Sequence, residues 1–387
     1  MTAIPILLSA GEASGDMYAA RLATALKGRA DVALFGMGGP EMRAAGVETI
    51  IDYSEVAVVG ITEVLKQLPS LRRAMGRLVE EAQRRRPPLA ILTDFPGFHL
   101  RLARKLTPLA IRNIYYICPQ FWAWRPWRAN LVRRRFSQAL CIFPFEEKFY
   151  RDAGVTVEFI GHPLVGNVGV SKTREEFCAE HGLNAEKPIL TILPGSRRGE
   201  IAHHGAILGE AFRQLRGSIP EVQAVVAVAP GIRRMDLEAF FPEDHSVRLV
   251  SGSTYDALGA ADVAVVSSGT ATVEAALLGK PMIVIYRLSP MTARLAKPLV
   301  RMKFFSMVNL IAGRAVVPEL IQDDFTAERV VAEAKSLLSA SNEGVEKLAE
   351  MRRGLAEVTR LLGPPGAVER AAEAVVAQLR SAQSNAK

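Results

Sequence analysis

The feature that most constrains the fold of this 387-residue chain is its regular alternation of short apolar runs with longer amphipathic stretches. Short apolar runs are typical of buried parallel strands, and the stretches between them indicate crossover helices. The first series of predicted strands is Ile6–Ser9, Val32–Phe35, Leu89–Leu92, Ile114–Ile117, Ala139–Phe143 and Val157–Ile160. The second series is Ile189–Leu193, Val222–Val228, Val247–Val250, Asp262–Val266 and Met282–Tyr286. The sequence therefore predicts two doubly wound α/β domains, with a polar junction near residues 167–187 and a helical tail.

Charge and cysteine content narrow the setting in which such a chain works. The net charge is +8, a moderate excess that favours an anionic partner. The three cysteines, Cys118, Cys141 and Cys178, lie far apart and fit a reducing cytoplasm better than a disulfide framework. No apolar run approaches the roughly 18 residues of a membrane span, so any contact with a membrane is expected to be peripheral.

The clearest candidate site is the strand end that runs through Ser268, Gly269 and Thr270 into a predicted helix. Free N–H groups and the positive end of the helix dipole favour a phosphate there, and Gly269 permits close approach. Glu274, one turn into the helix, is a candidate partner for both hydroxyls of a ribose. The competing interpretation is that Ser268 and Thr270 are ordinary helix caps and that Glu274 complements the helix dipole.

Two further strand ends carry candidate residues. Arg197 follows the strand Ile189–Leu193 and could hold a pyrophosphate with both arms of its guanidinium. The competing interpretation is a solvated cation, although the start of a helix is an unfavourable place for one. Asp94 follows the strand Leu89–Leu92 and could act as a general base, although Asp-x-Pro-Gly is also ordinary turn chemistry.

All three tryptophans lie in one segment, Cys118–Arg128, with arginines between them. Trp122, Trp124 and Arg125 combine large apolar groups with a cation, as interfacial segments do on anionic lipid. A second basic stretch runs from Arg287 to Lys303. The alternatives are a core tryptophan cluster beneath a solvated basic face, or a nucleic-acid surface, but no nucleic-acid-binding module is recognisable.

Other catalytic templates are missing from the sequence. The six histidines show no metal-ligand spacing, and neither a P-loop nor a G-x-S-x-G elbow occurs. We therefore expect no metal and no cofactor.

The motifs together resemble those of the lipid-A-disaccharide synthase family, inverting glycosyltransferases of family 19. The matching segments keep the family's order from residue 10 to about residue 322: Ala10–Asp16, Gly38–Met42, Gly60–Pro69, Trp122–Arg125, Phe143–Glu146, Gly161–Leu164, Leu193–Arg197, Ser268–Glu274 and Asn309–Arg314. One departure is His99, which stands where the family pattern after the aspartate has Asn.

The resemblance implies a GT-B fold, with two Rossmann-like parallel-sheet domains facing a cleft. The corresponding domain bounds are 1–166 on the acceptor side, 167–340 for binding of the UDP-sugar, and 341–387 for C-terminal helices that return to the first domain. The implied reaction joins UDP-2,3-diacylglucosamine to 2,3-diacylglucosamine 1-phosphate (lipid X), with inversion, to give the lipid A disaccharide 1-phosphate and UDP.

The resemblance also assigns roles to residues. Asp94 matches the catalytic base, while Arg197, Ser268, Gly269, Thr270 and Glu274 match the nucleotide site. Substrate-binding positions are implied at Glu12, Ser14, Asp16, Asn309 and Arg314. Trp122, Trp124 and Arg125 are expected on the membrane or acceptor side.

The family works on the cytoplasmic face of the inner membrane, which implies an anionic membrane surface as partner, no nucleic acid, and a possible homodimer through the C-terminal region. The alternatives left open are another UDP-sugar enzyme, such as a UDP-N-acetylglucosamine 2-epimerase or a polyprenyl-linked transferase, and a non-catalytic lipid- or nucleic-acid-binding protein.

Overall fold

The computed structural model describes residues 3–56, 61–289 and 303–384, and it divides into two compact units. Unit 1 extends through Pro163 and resumes at Gly363, whereas unit 2 covers Leu164–Leu362. Each unit has its own parallel sheet with helices packed against it. The fold class is therefore α/β with two parallel sheets, as the alternation of apolar runs predicts.

Unit 1 contains a seven-stranded sheet in the order β3-β2-β1-β4-β5-β6-β7. Its strands are β1 Ile4–Ala10, β2 Val32–Gly38, β3 Glu48–Asp52, β4 Leu89–Thr93, β5 Arg112–Tyr116, β6 Gln138–Cys141 and β7 Val157–Phe159. The helices that precede β7 are α1 Ala13–Lys27, α2 Pro40–Ala44, α3 Ile61–Arg85, α4 Pro96–Leu106, α5 Ala129–Arg135 and α6 Pro144–Asp152. The central strand β4 is buried along its whole length, because helices cover both faces of a parallel sheet.

Unit 2 contains a six-stranded sheet in the order β10-β9-β8-β11-β12-β13. Its strands are β8 Ile189–Leu193, β9 Gln223–Val228, β10 Val247–Ser251, β11 Val263–Ser267, β12 Met282–Tyr286 and β13 Glu319–Ile321. Its helices within the described residues are α7 Arg174–His181, α8 Arg198–Ser218, α9 Met235–Glu238, α10 Thr254–Ala260, α11 Thr270–Leu277, α12 Met307–Ala312, α13 Ala327–Leu338 and α14 Asn342–Leu361. The short strands β3 and β13 are the two that the apolar pattern missed.

The order of the strands fixes where a ligand site can form in each unit. In unit 1 the chain adds β2 and β3 on one side of β1 and then places β4 on the other side. In unit 2 the same reversal occurs between β8 and β11. Crevices that bind ligands open at such switch points, outside the carboxyl ends of the strands.

The C-terminal helices are divided between the two units. Helix α14 packs against α11, α12 and α13, and Thr359 donates a hydrogen bond to the carbonyl of Ala276 at 3.3 Å. The last helix, α15 Ala367–Ser384, packs against α1, and Arg370 donates to the carbonyl of Ile160 at 2.9 Å. Helix α14 thus belongs with unit 2 and α15 with unit 1. The predicted domain bounds themselves stay predictions.

Helix α4 illustrates how the sequence pattern sets the faces of a helix. Phe98, Leu102 and Leu106 recur at four-residue spacing and are buried against the sheet. Arg101, Arg104 and Lys105 occupy the opposite, exposed face. Among the helices of the described residues, none is long and apolar enough to cross a bilayer.

Candidate active site

A cavity of about 750 Å³ lies in unit 2 outside the carboxyl ends of β8 and β11. Leu193 and Val266 are paired in these neighbouring strands, so the two loops that follow leave the sheet at the same level. The predicted residues Arg197, Ser268, Gly269, Thr270 and Glu274 all line this cavity. Its volume lies in the range of sites that hold a nucleotide-sized ligand.

One wall of the cavity is the amino end of α11. Gly269 precedes the helix with φ +150°, a conformation that favours glycine. No acidic residue stands in the first turn, so nothing there neutralises the positive end of the helix dipole. Ser267 is 6% exposed, and its hydroxyl has no hydrogen-bond partner among the described residues. A buried hydroxyl without a partner beside free N–H groups suits an anionic ligand.

Arg197 lies at the rim of the cavity and is held by Glu200. The carboxylate of Glu200 accepts the N–H groups of Ser196 and Arg197 at 2.9 and 3.3 Å, and it pairs with the Arg197 guanidinium at 3.2 Å. This local acid explains how a cation is tolerated at the start of a helix. The Arg197 side chain remains 70% exposed and is free to meet a ligand.

Glu274 faces the cavity from α11 and is oriented by Tyr255. The Tyr255 hydroxyl donates to Oε1 of Glu274 at 3.0 Å. Burial raises the pKa of Glu274, and the hydrogen bond from Tyr255 opposes that rise. The remaining acceptor capacity of the carboxylate can receive hydroxyl groups of a sugar.

Asp94 lies in unit 1, directly after β4. Asp94 and Phe95 both have left-handed backbones, with φ +48° and +45°. A left-handed backbone at a residue other than glycine costs on the order of 1 kcal/mol or more of folding free energy. It persists only where the surrounding structure holds it.

Three hydrogen bonds hold the backbone of Asp94. Its N–H donates to Tyr116, and its carbonyl accepts from the Tyr115 hydroxyl at 2.9 Å and from Nδ1 of His99 at 2.8 Å. Burial lowers the pKa of His99 to about 4, so its ring is neutral and Nε2 accepts from the Ser9 hydroxyl at 2.9 Å. His99, the residue that departs from the family pattern, therefore fixes the aspartate through its main chain.

The carboxyl group of Asp94 is half-buried and tuned by its neighbours. Burial is the largest cause that raises its pKa to about 7, and the negative charge of Glu12 adds to it. Ala10 pairs with Thr93 in β1 and β4, so the two loops leave the sheet side by side. A Cβ atom on Gly11 would lie 2.2 Å from the Phe95 ring, so any side chain at this position would displace the ring. A carboxylate with a pKa near neutrality at a switch point is suited to accept a proton.

Comparison with known proteins identifies the family to which this chain belongs. A family model described as lipid-A-disaccharide synthetase matches residues 6–362. The chain belongs to the lipid-A-disaccharide synthetase family. It is 46% identical over 375 residues to the lipid-A-disaccharide synthase of Solibacter usitatus and 44% identical over 376 residues to that of Myxococcus xanthus, with 96% of each chain covered in both cases.

Solved structures with low sequence identity support the fold alone. A UDP-GlcNAc 2-epimerase from Neisseria meningitidis matches with a TM-score of 0.66 at 12% identity, covering 96% of this chain and 100% of that one. The calicheamicin glycosyltransferase CalG4 matches with a TM-score of 0.60 at 16% identity, covering 98% and 99%. These neighbours are GT-B-like, which confirms the predicted fold class.

The membership confirms the activity that the resemblance implied: the chain is a glycosyltransferase of lipid A biosynthesis, and its substrates are lipid A precursors.

The other predicted site residues of the chain occupy several different environments in the structure. In the ranges 3–56, 61–289 and 303–384, no three metal-ligating side chains come together.

Of the predicted residues on the β1–α1 turn, Glu12 and Ser14 are exposed but Asp16 is not. The buried Asp16 carboxylate accepts the N–H groups of Gly39, Glu41 and Met42 at 2.7–3.2 Å. It therefore caps α2 and fixes the β2–α2 turn, and its position in this structure is that of a structural residue.

Asn309 and Arg314 also make their bonds to the protein. The buried Asn309 amide donates to Val317 and Glu319 and accepts the N–H groups of Val316 and Val317 at 2.7–3.0 Å, which fills all its hydrogen-bonding capacity. Arg314 forms a surface ion pair of 2.7 Å with Glu357. Glu319 also accepts the N–H group of Ser306 at 2.9 Å. Because Asn309 and Ser306 share this carboxylate, Asn309 helps to hold the start of α12.

The tryptophan segment has a buried half and an exposed half. Trp122 is half-buried and donates its Nε1–H to Glu146 at 3.1 Å. Trp124 is 39% exposed, with the Arg125 guanidinium 4.6 Å from its ring centre, and Trp127 is 59% exposed. Trp122 therefore packs against unit 1, whereas Trp124 and Trp127 reach solvent; the expected membrane or acceptor role of the segment stays a prediction.

Sequence reasoning missed three residues that shape these sites. Tyr255 orients Glu274, and Glu146 binds Trp122. The buried ring of His204 receives the Arg287 N–H and binds the Pro194 carbonyl at the edge of the cavity. Of the three, only Glu146 gave a signal in the sequence, because it is the last residue of the family motif Phe143–Glu146. Residues 290–302 of the second basic stretch, and Gly60 of one family motif, lie outside the described residues.

Proposed function

We propose that the enzyme transfers 2,3-diacylglucosamine from its UDP donor to lipid X with inversion, and that Asp94 is the base. The Asp94 carboxylate takes the proton of the acceptor 6-hydroxyl while that oxygen bonds to the anomeric carbon. The bond between that carbon and the diphosphate oxygen breaks, and UDP leaves with the electron pair. The observation that carries this proposal is the Asp94 carboxyl group, with a pKa of about 7 and a locked backbone.

The cavity of unit 2 is the proposed binding site for the UDP part of the donor. The amino end of α11, with the hydroxyl of Ser267 beside it, receives the diphosphate as negative charge develops on it. Arg197 adds an exposed cation at the rim, and Glu274 binds the ribose hydroxyls. The polar atoms of Asp16 and Asn309 are already bonded within the protein, so in this proposal the two residues shape their turns and do not contact substrate. Glu12 contributes through its charge on Asp94, while Ser14 remains an exposed candidate for the acceptor.

Positive charge is distributed unevenly along the chain, which supports a contact with an anionic membrane. Residues 95–145 contain nine Arg or Lys and no Asp or Glu, whereas the whole chain has a net charge of +8. The rest of the chain is therefore close to neutral (8 − 9 = −1). None of the nine cations pairs with a carboxylate of the described residues, although arginines elsewhere in unit 1 do, such as Arg43 and Arg151.

We infer that Arg101, Arg104, Arg125 and Arg128, with Trp124 and Trp127 exposed beside them, form a basic face that meets anionic lipid on the cytoplasmic face of the inner membrane. Vesicles of phosphatidylcholine with and without phosphatidylglycerol test this inference. Arg101→Gln with Arg104→Gln is expected to weaken binding to anionic vesicles by roughly 5-fold per cation. The matched control, Arg43→Gln with Arg151→Gln, removes the same charge from paired arginines. Equal losses in the two variants would contradict the assignment of this face.

A homodimer through the C-terminal region stays a prediction.

One assay tests the reaction itself. The full chain receives the diacylated UDP-sugar and lipid X in the presence of EDTA, and disaccharide and UDP are measured together. We expect equal amounts of the two products, and a loss of about 10²–10⁴ in turnover for Asp94→Asn with UDP affinity retained. Release of UDP without lipid X, or turnover of Asp94→Asn within twofold of the natural enzyme, would refute the proposal.

A further inference from the structure

Glu146 is a fully buried carboxyl group that the proposed reaction does not use. It lies in the first turn of α6, in unit 1, and its exposed fraction is 0%. Its Oε1 accepts the Trp122 Nε1–H at 3.1 Å, and its Oε2 accepts the Phe143 N–H at 3.3 Å. No arginine or lysine of the described residues bonds to it, so this carboxyl group is buried without a compensating cation.

The bond from Trp122 anchors a segment that otherwise faces outward. Trp122 also meets the Phe145 ring edge-on, with ring centres 4.8 Å apart, and the Tyr150 hydroxyl donates to the Pro119 carbonyl. All these partners belong to α6. The other half of the segment exposes Trp124 and Trp127 beside unpaired arginines.

The hydrogen-bonded pair of Glu146 and Trp122, which we call the anchor, lies on the same edge of the sheet as Asp94. Strands β4, β5 and β6 are neighbours, and the loops after them carry Asp94, the tryptophan segment and Glu146 in that order. The charge of Asp94 is one of the causes that raise the pKa of Glu146 to about 8, although burial is the largest. The group with the lower pKa, Asp94, ionises first, and the other carboxyl group stays neutral beside it.

We propose that Glu146 is a positioning residue for the acceptor: through Trp122 it holds the segment Pro119–Arg128 in the conformation that receives lipid X. The proposal rests on the proposed function, because it assigns the segment to the acceptor side. It predicts that loss of the anchor weakens the use of lipid X and leaves the use of the UDP donor intact, since the nucleotide cavity is lined entirely by residues of unit 2.

Steady-state kinetics with each substrate varied separately tests this prediction. Glu146→Ala is expected to raise the KM for lipid X about 10-fold, with the KM for the donor within twofold. Glu146→Gln, which keeps an acceptor for Trp122, is expected to recover most of that loss. Trp122→Phe removes the same hydrogen bond, so the double variant Glu146→Ala/Trp122→Phe is expected to be no worse than either single variant.

The matched control is Glu147→Ala. Glu147 lies in the same turn of α6 but pairs with Arg151 at 2.6 Å, so its loss is expected to leave both KM values unchanged. Equal effects of Glu146→Ala on the two KM values, or no effect, would overturn the proposal. If Glu146→Ala does not fold, the Trp122→Phe variant gives the same comparison.

A second readout needs no catalysis. Because every tryptophan lies in this segment, the variant Trp124→Phe/Trp127→Phe reports on Trp122 alone. Its emission is expected to titrate near pH 8 and to lose that titration when Glu146→Gln is added. If the natural enzyme makes no disaccharide while this titration is present, the proposed function fails and the anchor stands. If Glu146→Ala leaves the Trp122 emission of this variant unchanged, the anchor fails whatever the activity.

Discussion

Replacing the proposed base is expected to stabilise unit 1 in a pH-dependent way. The pKa of Asp94 is raised from 3.8 to about 7 in the folded chain, a difference of about 3 units (7 − 3.8). At about 1.4 kcal/mol per unit, full ionisation of Asp94 costs the folded state up to roughly 4 kcal/mol. Because the side chain is only half-buried, we expect about 2–4 kcal/mol.

The folded chain holds the proton of Asp94 more tightly than the unfolded chain does, and this sets the direction of the pH dependence. A raised folded pKa means that the stability from protonated Asp94 is complete below pH 3.8 and is lost as the pH rises through about 7. Asp94→Asn has no such loss. Its free energy of unfolding is therefore expected to exceed that of the natural chain by about 2–4 kcal/mol at pH 8 and by only about 1 kcal/mol at pH 5.

Urea unfolding followed by tryptophan emission measures this difference, since every tryptophan lies in unit 1. Asp52→Asn is the control of opposite sign: hydrogen bonds from Ser54 and Arg43 lower the pKa of Asp52, so its loss is expected to destabilise the unit at both pH values. A gain for Asp94→Asn that is the same at pH 5 and pH 8, or a loss at pH 8, would refute the assignment of a raised pKa to Asp94.

The acid limb of kcat/KM is expected near pH 7, and Glu12→Gln is expected to move it to lower pH; an unmoved limb would exclude Glu12 as a cause of the raised pKa of Asp94. Asn309→Ala is expected to lower the free energy of unfolding of unit 2 by about 2–4 kcal/mol in urea titrations followed by circular dichroism, because several buried bonds are lost; a pure KM effect would instead support substrate contact. Gly11→Ala is expected to displace the Phe95 ring and lower kcat at least about 10-fold, so an unchanged kcat would contradict the close packing of this turn.

The sequence predicted the fold class, the family and the order of the strands along the chain, because each depends on local patterns. Among the described strands, the apolar runs marked all but β3 and β13, whose apolar runs are only two or three residues long beside Glu48, Asp52 and Glu319. The pattern at Ser268–Thr270 also predicted the helix start that lines the cavity, because a strand, a glycine and a helix are adjacent in the chain.

The environments of single residues could not be predicted in this way. Asn309 and Asp16 match family motifs, yet their polar atoms are bonded to backbone groups up to 26 residues away. Trp122 and Trp124 are two positions apart, yet one anchors the segment and the other faces solvent. Which neighbour completes a hydrogen bond depends on contacts between elements that the linear pattern does not contain.

The sequence by itself determined that this chain forms two parallel sheets and belongs to a family of lipid A glycosyltransferases, since strand periodicity and contiguous motifs are properties of neighbouring residues. Only the tertiary structure decided that Glu12 lies beside Asp94 and that His99 locks its backbone. The physical reason is the strand order: β4 lies next to β1 although about 80 residues separate them, so burial and charge around Asp94 arise from packing across the sheet.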